Sequence, residues 1–141
     1  MNRRPSRVRV PGGDRGAAAV EFALLLPLLL LLVFGIIDFG RAVNVQITLT
    51  QAAREGARLA ALGQSTAAVT ARAQGAAVGL SPVTVTVTAC PPGATQTSEA
   101  TVITSYTFTY ITPVGAIAAL FGGGGYGSPT LTATGVMPCE S

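Results

Sequence analysis

The stretch AAAVEFALLLPLLLLLVFGIIDF, residues 17–39, decides the fold. Sixteen uncharged residues separate Glu21 from Asp38, and the four residues before Glu21 lengthen the apolar run to about 21 residues. At ~1.5 Å of rise per residue, a helix of this length matches the hydrocarbon core of a bilayer. A core helix of a globular protein is the alternative, but this run has no polar face. We therefore predict one transmembrane helix over residues 17–39.

Basic residues are concentrated ahead of this helix. Residues 1–16 carry five arginines and one aspartate, whereas residues 17–141 carry four arginines and five acids. The positive-inside rule then places the N-terminus in the cytoplasm and the C-terminal body outside. A DNA-binding arm is the rival interpretation of such a basic head, but the arginines directly adjoin a membrane segment. The predicted location is the cytoplasmic membrane, in a single pass.

A cleaved secretory signal peptide is another alternative for this segment. Its apolar region normally ends in small residues of the A-x-A kind, whereas this run ends GIIDFGRAV. Glu21 lies about one turn into the helix, where a central carboxylate costs on the order of 2–3 kcal/mol. It either lies among the head groups or pairs with a positive group on a neighbouring helix. Pro27 removes one backbone hydrogen bond and is expected to kink the helix.

Periodicity predicts the fold of the remaining chain. Small and apolar residues recur at three- and four-residue steps, which extends the helix to Gly63 with one apolar face. We favour packing of this face on the protein's own sheet over a seam between subunits. A short second helix follows over residues 65–80, and alternating Val/Thr patterns predict strands over residues 83–89, 100–111 and 130–137. The residues of the helical apolar face are Val45, Leu49, Ala52, Gly56, Leu59 and Gly63.

The predicted fold class is α+β: a long N-terminal transmembrane helix extends into a small extracytoplasmic domain with a short helix and a three-stranded antiparallel sheet. Four regions follow. Residues 1–16 form a cytoplasmic basic leader, 17–39 the transmembrane helix, 40–80 an extracytoplasmic helical region, and 81–141 an antiparallel β region. Gly122–Gly125 is predicted to be a flexible connection between strands.

Two side-chain pairs are candidates for stabilising the extracytoplasmic domain. Glu55 and Arg58 are three residues apart on the polar helix face, a spacing that favours an ion pair. Cys90 and Cys139 are the only cysteines, and both fall in a compartment where disulfides persist. An intramolecular bridge would contribute roughly 4 kcal/mol. Two free thiols or an intermolecular bond are the alternatives.

Composition gives no support to catalysis. The chain contains no His and no Lys, and its six acids are scattered. We identify no catalytic residue, no metal ligand and no cofactor, and we expect neither nucleic acid nor a small-molecule substrate as a partner. A structural or binding protein is the expectation.

Residues 15–63 resemble the TadE-like pilus-assembly proteins, pseudopilins of the tight-adherence (Tad, or Flp) pilus. The matching stretches are RGAAAVEFALLLPLLLLLVFGIIDFGRA (Arg15–Ala42) and QAAREGARLAA (Gln51–Ala61). The second stretch matches the family element A-A-R-x-G-A-R-x-A at Ala52, Ala53, Arg54, Gly56, Ala57, Arg58 and Ala60.

The resemblance implies processing by a prepilin peptidase between Gly16 and Ala17. The new amine at Ala17 could then neutralise Glu21 of the next subunit, with Glu21, Phe22 and Pro27 forming the docking segment. Implied partners are the membrane, the peptidase, other pilin and pseudopilin subunits, and the Tad assembly machinery. The expected function is a minor pilin-like subunit or assembly factor, with possible incorporation into an extracellular pilus. The alternative is an uncleaved, membrane-anchored extracytoplasmic binding module.

Overall fold

The computed structural model describes residues 13–95, 97–113, 122 and 127–140. Two helices precede three strands, and the strands form one antiparallel sheet in the order β1-β2-β3. The predicted α+β class, with a long apolar helix, a short helix and a three-stranded antiparallel sheet, is therefore confirmed. The elements are α1 (Gly13–Ala61), α2 (Thr66–Ala76), β1 (Thr84–Thr88), β2 (Glu99–Thr107) and β3 (Thr130–Pro138).

Helix α1 is continuous over 49 residues, roughly 70 Å. It ends where Gly63 adopts a φ of +70°, a backbone conformation that glycine tolerates best. The amides of Gly63 and Gln64 donate to the carbonyls of Ala60 and Leu59, which satisfies the last turn of the helix. Ser65 then begins α2 as its N-cap, accepting a hydrogen bond from the amide of Ala68.

The strands run along the C-terminal part of α1, beyond its apolar segment. Strand β3 advances with the helix, because Gln46 donates to the carbonyl of Thr132 and the amide of Glu140 donates to the carbonyl of Ala61. The hydroxyl of Thr104 in β2 donates to the carbonyl of Leu49, and β2 runs in the opposite direction. The C-terminal end of β2 therefore lies near the apolar part of α1.

The core lies between α1 and the inner face of the sheet. Val45, Leu49, Ala52 and Gly56, from the predicted apolar face, are buried there. Packing on the protein's own sheet, the favoured alternative, is therefore confirmed for these four residues. The opposite face of the sheet is exposed and consists mainly of threonines, in agreement with the alternating Val/Thr pattern.

Two predicted element ends are wrong. The second helix stops at Ala76 and not at Leu80, since Ala77 leaves helical geometry with a ψ of 54° and Gly79 beyond it takes a φ of +79°. Strand β2 stops at Thr107 and not at Ile111, because the chain beyond it turns to contact α1. Most of the predicted connection Gly122–Gly125 lies outside the described residues.

Gly135 marks the closest approach of sheet to helix, and we predict that Gly135→Ala destabilises the domain. A Cβ at this position would lie 2.4 Å from the carbonyl oxygen of Ala53, a backbone atom that only a shift of α1 or β3 can relieve. The expected loss is about 1–3 kcal/mol of unfolding free energy. Thermal unfolding of the purified full chain in detergent, followed by circular dichroism, measures it.

Gly75→Ala is the matched control for this variant. No atom lies within 4 Å of the Cβ it would add, and Gly75 is inside α2. Alanine there should stabilise the helix by about 0.5–1 kcal/mol. Equal melting temperatures for the two variants would contradict the close packing of Gly135.

Candidate assembly helix and its membrane exit

The N-terminal part of α1 has no packing partner within the described chain. No residue from 16 to 37 is buried, and large side chains such as Phe22 and Leu24 are 59% and 76% exposed. The helix is long and apolar enough to cross a membrane. An apolar surface of this length is stable only in lipid or against other apolar helices. The chain therefore fits a single-pass membrane protein.

The predicted processing and docking residues lie on this exposed segment. Gly16 and Ala17 are inside α1, just after its first turn, and no atom lies within 4 Å of the Cβ position of Gly16. Glu21 and Phe22 are exposed one turn further on, and Pro27 lies within the continuous helix. The kink predicted at Pro27 stays a prediction.

Asp38 forms a connection between helix and sheet that sequence reasoning missed. Its side chain is only 3% exposed. Its carboxylate accepts a hydrogen bond from the amide of Ile111 at 3.3 Å and another from the hydroxyl of Thr112. The charge that ends the apolar run is thus also the residue that holds the chain after β2 onto the helix.

Arg41 strengthens the same connection from one turn above. Its guanidinium lies 3.4 Å from the Asp38 carboxylate and donates to the carbonyl of Thr109 at 3.2 Å. It also lies over the ring of the buried Phe108, 5.1 Å from the centroid, which is a cation–π arrangement. The Asp38 cluster, namely Asp38, Arg41, Phe108, Thr109, Ile111 and Thr112, therefore fixes the domain where α1 leaves its apolar segment.

We predict that Asp38→Asn loosens this junction. An amide is a weaker acceptor than a carboxylate and cannot form the ion pair with Arg41, so the hydrogen bonds that hold the chain after β2 on α1 should weaken. Hydrogen exchange at residues 108–112 should accelerate in the full chain in detergent. The control is Glu99→Gln, since Glu99 is an exposed carboxylate with no ion pair in the described chain. Equal protection in the two variants would contradict the role of Asp38.

The A-A-R-x-G-A-R-x-A element divides into a buried and an exposed half. Ala53, Gly56 and Ala57 are buried, and a Cβ on Gly56 would lie only 3.0 Å from Val102 Cγ1. These small residues let sheet and helix approach closely. Arg54 and Arg58 lie exposed on the other side of the helix.

The predicted pairing of Glu55 with Arg58 is wrong. Glu55 instead pairs with Arg72 of α2, with a nitrogen–oxygen distance of 2.9 Å. The reason is tertiary: α2 packs back along α1 and brings a second guanidinium to the carboxylate. A sequence pattern within one helix contains no information on that approach.

A disulfide joins Cys90, just after β1, to Cys139, just after β3. It closes a separation of 49 residues at the end of the sheet far from the Asp38 cluster. The disulfide thus stabilises one end of the domain, and the ion pair and hydrogen bonds of the Asp38 cluster stabilise the other.

Two further features bear on possible ligands. A groove of about 460 Å³ is lined mostly by hydroxyl side chains at the ends of β1 and β2, among them Ser81, Thr84 and Tyr106. Over residues 13–95 and the other described ranges, no group of three or more His, Cys, Asp or Glu side chains is placed to hold a metal ion.

Comparison with known proteins bears on the long helix. Residues 16–58 match the family model described as TadE-like protein. The chain carries a TadE-like segment. The resemblance predicted from the sequence is therefore confirmed over this range. TadE-like proteins are pilus-assembly components and not a known family of enzymes.

The TadE-like segment covers the exposed helix, the Asp38–Arg41 pair and most of the small-residue face. It stops before α2, the sheet and the disulfide. No curated protein and no solved structure matches the chain.

Proposed function

We propose that this chain is a minor pilin-like (pseudopilin) subunit or an assembly factor of a Tad/Flp-type pilus. It docks through its N-terminal hydrophobic helix after its leader peptide is removed. The observation that carries the proposal is the TadE-like helix, in which no residue from 16 to 37 is buried, followed by a compact domain. The N-terminus lies in the cytoplasm and the domain lies outside.

The proposed mechanism has three steps. The apolar helix first lies in the bilayer, since lipid covers the surface that the domain leaves exposed. A prepilin peptidase then cuts between Gly16 and Ala17, which removes the basic leader and creates an amine at Ala17. The helix finally exchanges lipid for the helices of other pilin and pseudopilin subunits within the Tad machinery. Removing the leader matters because its five arginines would otherwise keep the helix end at the cytoplasmic surface.

Glu21 sets the axial position at which the helices of two subunits dock. A carboxylate exposed on an apolar helix is costly in lipid. The Ala17 amine of a neighbouring subunit offsets that cost, because opposite charges attract strongly in a low dielectric. Phe22 and Pro27 shape the surrounding surface. The Asp38 cluster then keeps the domain rigid on α1, so that helix position determines domain position.

N-terminal sequencing of the full chain, extracted from membranes of cells that express a prepilin peptidase, tests this proposal. The expected sequence begins AAAVEF, from Ala17. A chain that retains its leader in such cells would overturn the proposal and favour the alternative, an uncleaved membrane-anchored binding module. The hydroxyl-lined groove near Tyr106 is the observation that favours that alternative.

A further inference from the structure

The hydroxyl-lined groove lies where β1 and β2 separate, at the end of the sheet near the Asp38 cluster. Pairing between the two strands ends with Thr84 opposite Ser105. The same register would place Pro82 opposite Thr107, but a proline has no N–H and cannot donate to a strand ladder. The chain before Thr84 does not extend the pairing, and a groove of about 460 Å³ lies between it and β2.

Contacts with the rest of the domain hold the walls of this groove in place. The carbonyl of Thr109, which lines the groove, accepts a hydrogen bond from Arg41. On the β1 side, the carbonyl of Val83 accepts one from the side chain of Gln74 in α2. The ring of Tyr106 packs against the core between sheet and α1. A groove with walls fixed in advance loses little conformational entropy when a ligand enters.

Hydroxyl groups dominate the lining of the groove. Of the eight lining residues that the structure describes, seven carry a hydroxyl and none is charged. The hydrogen bonds within the described chain include none from these seven hydroxyls, whereas the core hydroxyl of Thr104 donates to the carbonyl of Leu49. Each hydroxyl can donate one hydrogen bond and accept two. The groove therefore presents many donors and acceptors that the fold itself does not use.

The lining indicates which class of ligand fits the groove. A charged ligand would meet no opposite charge among the described lining side chains, so burial of its charge would be costly. An apolar ligand would remove water from the hydroxyls without replacing their hydrogen bonds. A neutral saccharide avoids both costs, because its own hydroxyls donate and accept, while its C–H groups can contact the partly buried ring of Tyr106. The volume is within the range of about 300–1,000 Å³ that is typical of small-molecule pockets.

We propose that this groove binds a neutral saccharide, with the hydroxyls of Thr84, Tyr106 and Thr107 hydrogen-bonding to those of the sugar. Sugar binding goes beyond the pilin-like function and does not depend on leader removal, because the groove lies wholly in the domain that follows α1. Hydrogen bonds between neutral groups contribute modestly, so we expect a dissociation constant of about 1 mM. The sugar is either the head group of a glycolipid or a glycan that is free of the membrane.

Saturation-transfer NMR on the full chain in lipid nanodiscs tests the proposal, since detergents with sugar head groups would compete. The probes are maltohexaose, cellohexaose and chitohexaose, and at least one should bind. Thr84→Val combined with Thr107→Val removes two lining hydroxyls and keeps the size of the side chains. This double variant should weaken binding about tenfold.

Thr86→Val combined with Thr88→Val is the matched control. Both threonines are exposed on β1, and neither lines the groove. The control should bind the sugar like the wild type, and thermal unfolding should show that both double variants are folded. An anionic hexagalacturonate should bind at least about tenfold more weakly than the best neutral probe.

Three results would overturn the inference. They are no binding of any neutral probe at about 10 mM, equal losses of affinity in the two double variants, and equal binding of the anionic probe. Nanodiscs that contain a diglucosyl diacylglycerol distinguish the two sources of the sugar. Competition with the soluble probe indicates a glycolipid head group in the groove, and no competition indicates a glycan free of the membrane.

Discussion

Gly16→Leu is expected to leave the chain at its unprocessed mass. The packing of the domain does not explain a glycine at this position. No atom lies within 4 Å of the Cβ position of Gly16, so packing within the domain does not require it. A glycine inside a helix also costs about 1 kcal/mol relative to alanine. Packing within the domain therefore leaves Gly16 available for contact with another molecule.

The peptidase proposed above is that molecule. A protease must reach the backbone on both sides of the bond that it cuts, and a residue without a Cβ allows the closest approach. Gly16 also lies just after the first turn of α1, which is the part of a helix that frays most readily. A leucine would obstruct the approach and stabilise the helix, and both effects oppose cleavage.

Gly35→Leu is the matched control for Gly16→Leu. Gly35 is in the same helix, and no atom lies within 4 Å of its Cβ position either. The same substitution there should leave the mature mass unchanged. Intact-mass spectrometry of membrane-extracted protein distinguishes the two variants. Normal processing of Gly16→Leu, or blocked processing of Gly35→Leu, would count against cleavage after Gly16.

The elements of this fold were predictable where the signal is local. The apolar run and the small-residue periodicity together predict one helix from the membrane to Gly63, and α1 ends at Ala61. Val/Thr alternation likewise predicts each strand to within a few residues. These signals are strong because side-chain period follows directly from backbone geometry.

The contacts between elements were not predictable in the same way. Asp38 has the sequence context of a charge that merely ends a membrane span, yet it binds Ile111 and Thr112. Strand β2 consequently stops early, because those residues turn toward α1. Glu55 likewise bonds to Arg72 and not to its helical neighbour. Each error concerns a polar group whose partner lies in a distant segment, about which local periodicity says nothing.

Glu21→Gln is expected to have opposite effects on anchoring and on docking. The variant keeps the size of the side chain but removes a charge that costs on the order of 2–3 kcal/mol in a membrane interior. As a monomer it should therefore insert at least as well as wild type. Docking should weaken by about 3 kcal/mol, or about a hundredfold, because the Ala17 amine of the neighbour is left without its counter-charge.

Recovery of one tagged copy with another measures docking, and intact mass shows that the leader is still removed. Glu55→Gln is the matched control, since Glu55 lies on the same helix in a partly exposed pair with Arg72, and such surface pairs contribute at most about 1 kcal/mol. The opposite directions of the effects on membrane insertion and on association matter more than the size of either effect. If Glu21 only lies among the head groups, its neutral form should anchor better and associate as before. A carboxylate that serves docking must instead lose association while membrane insertion improves.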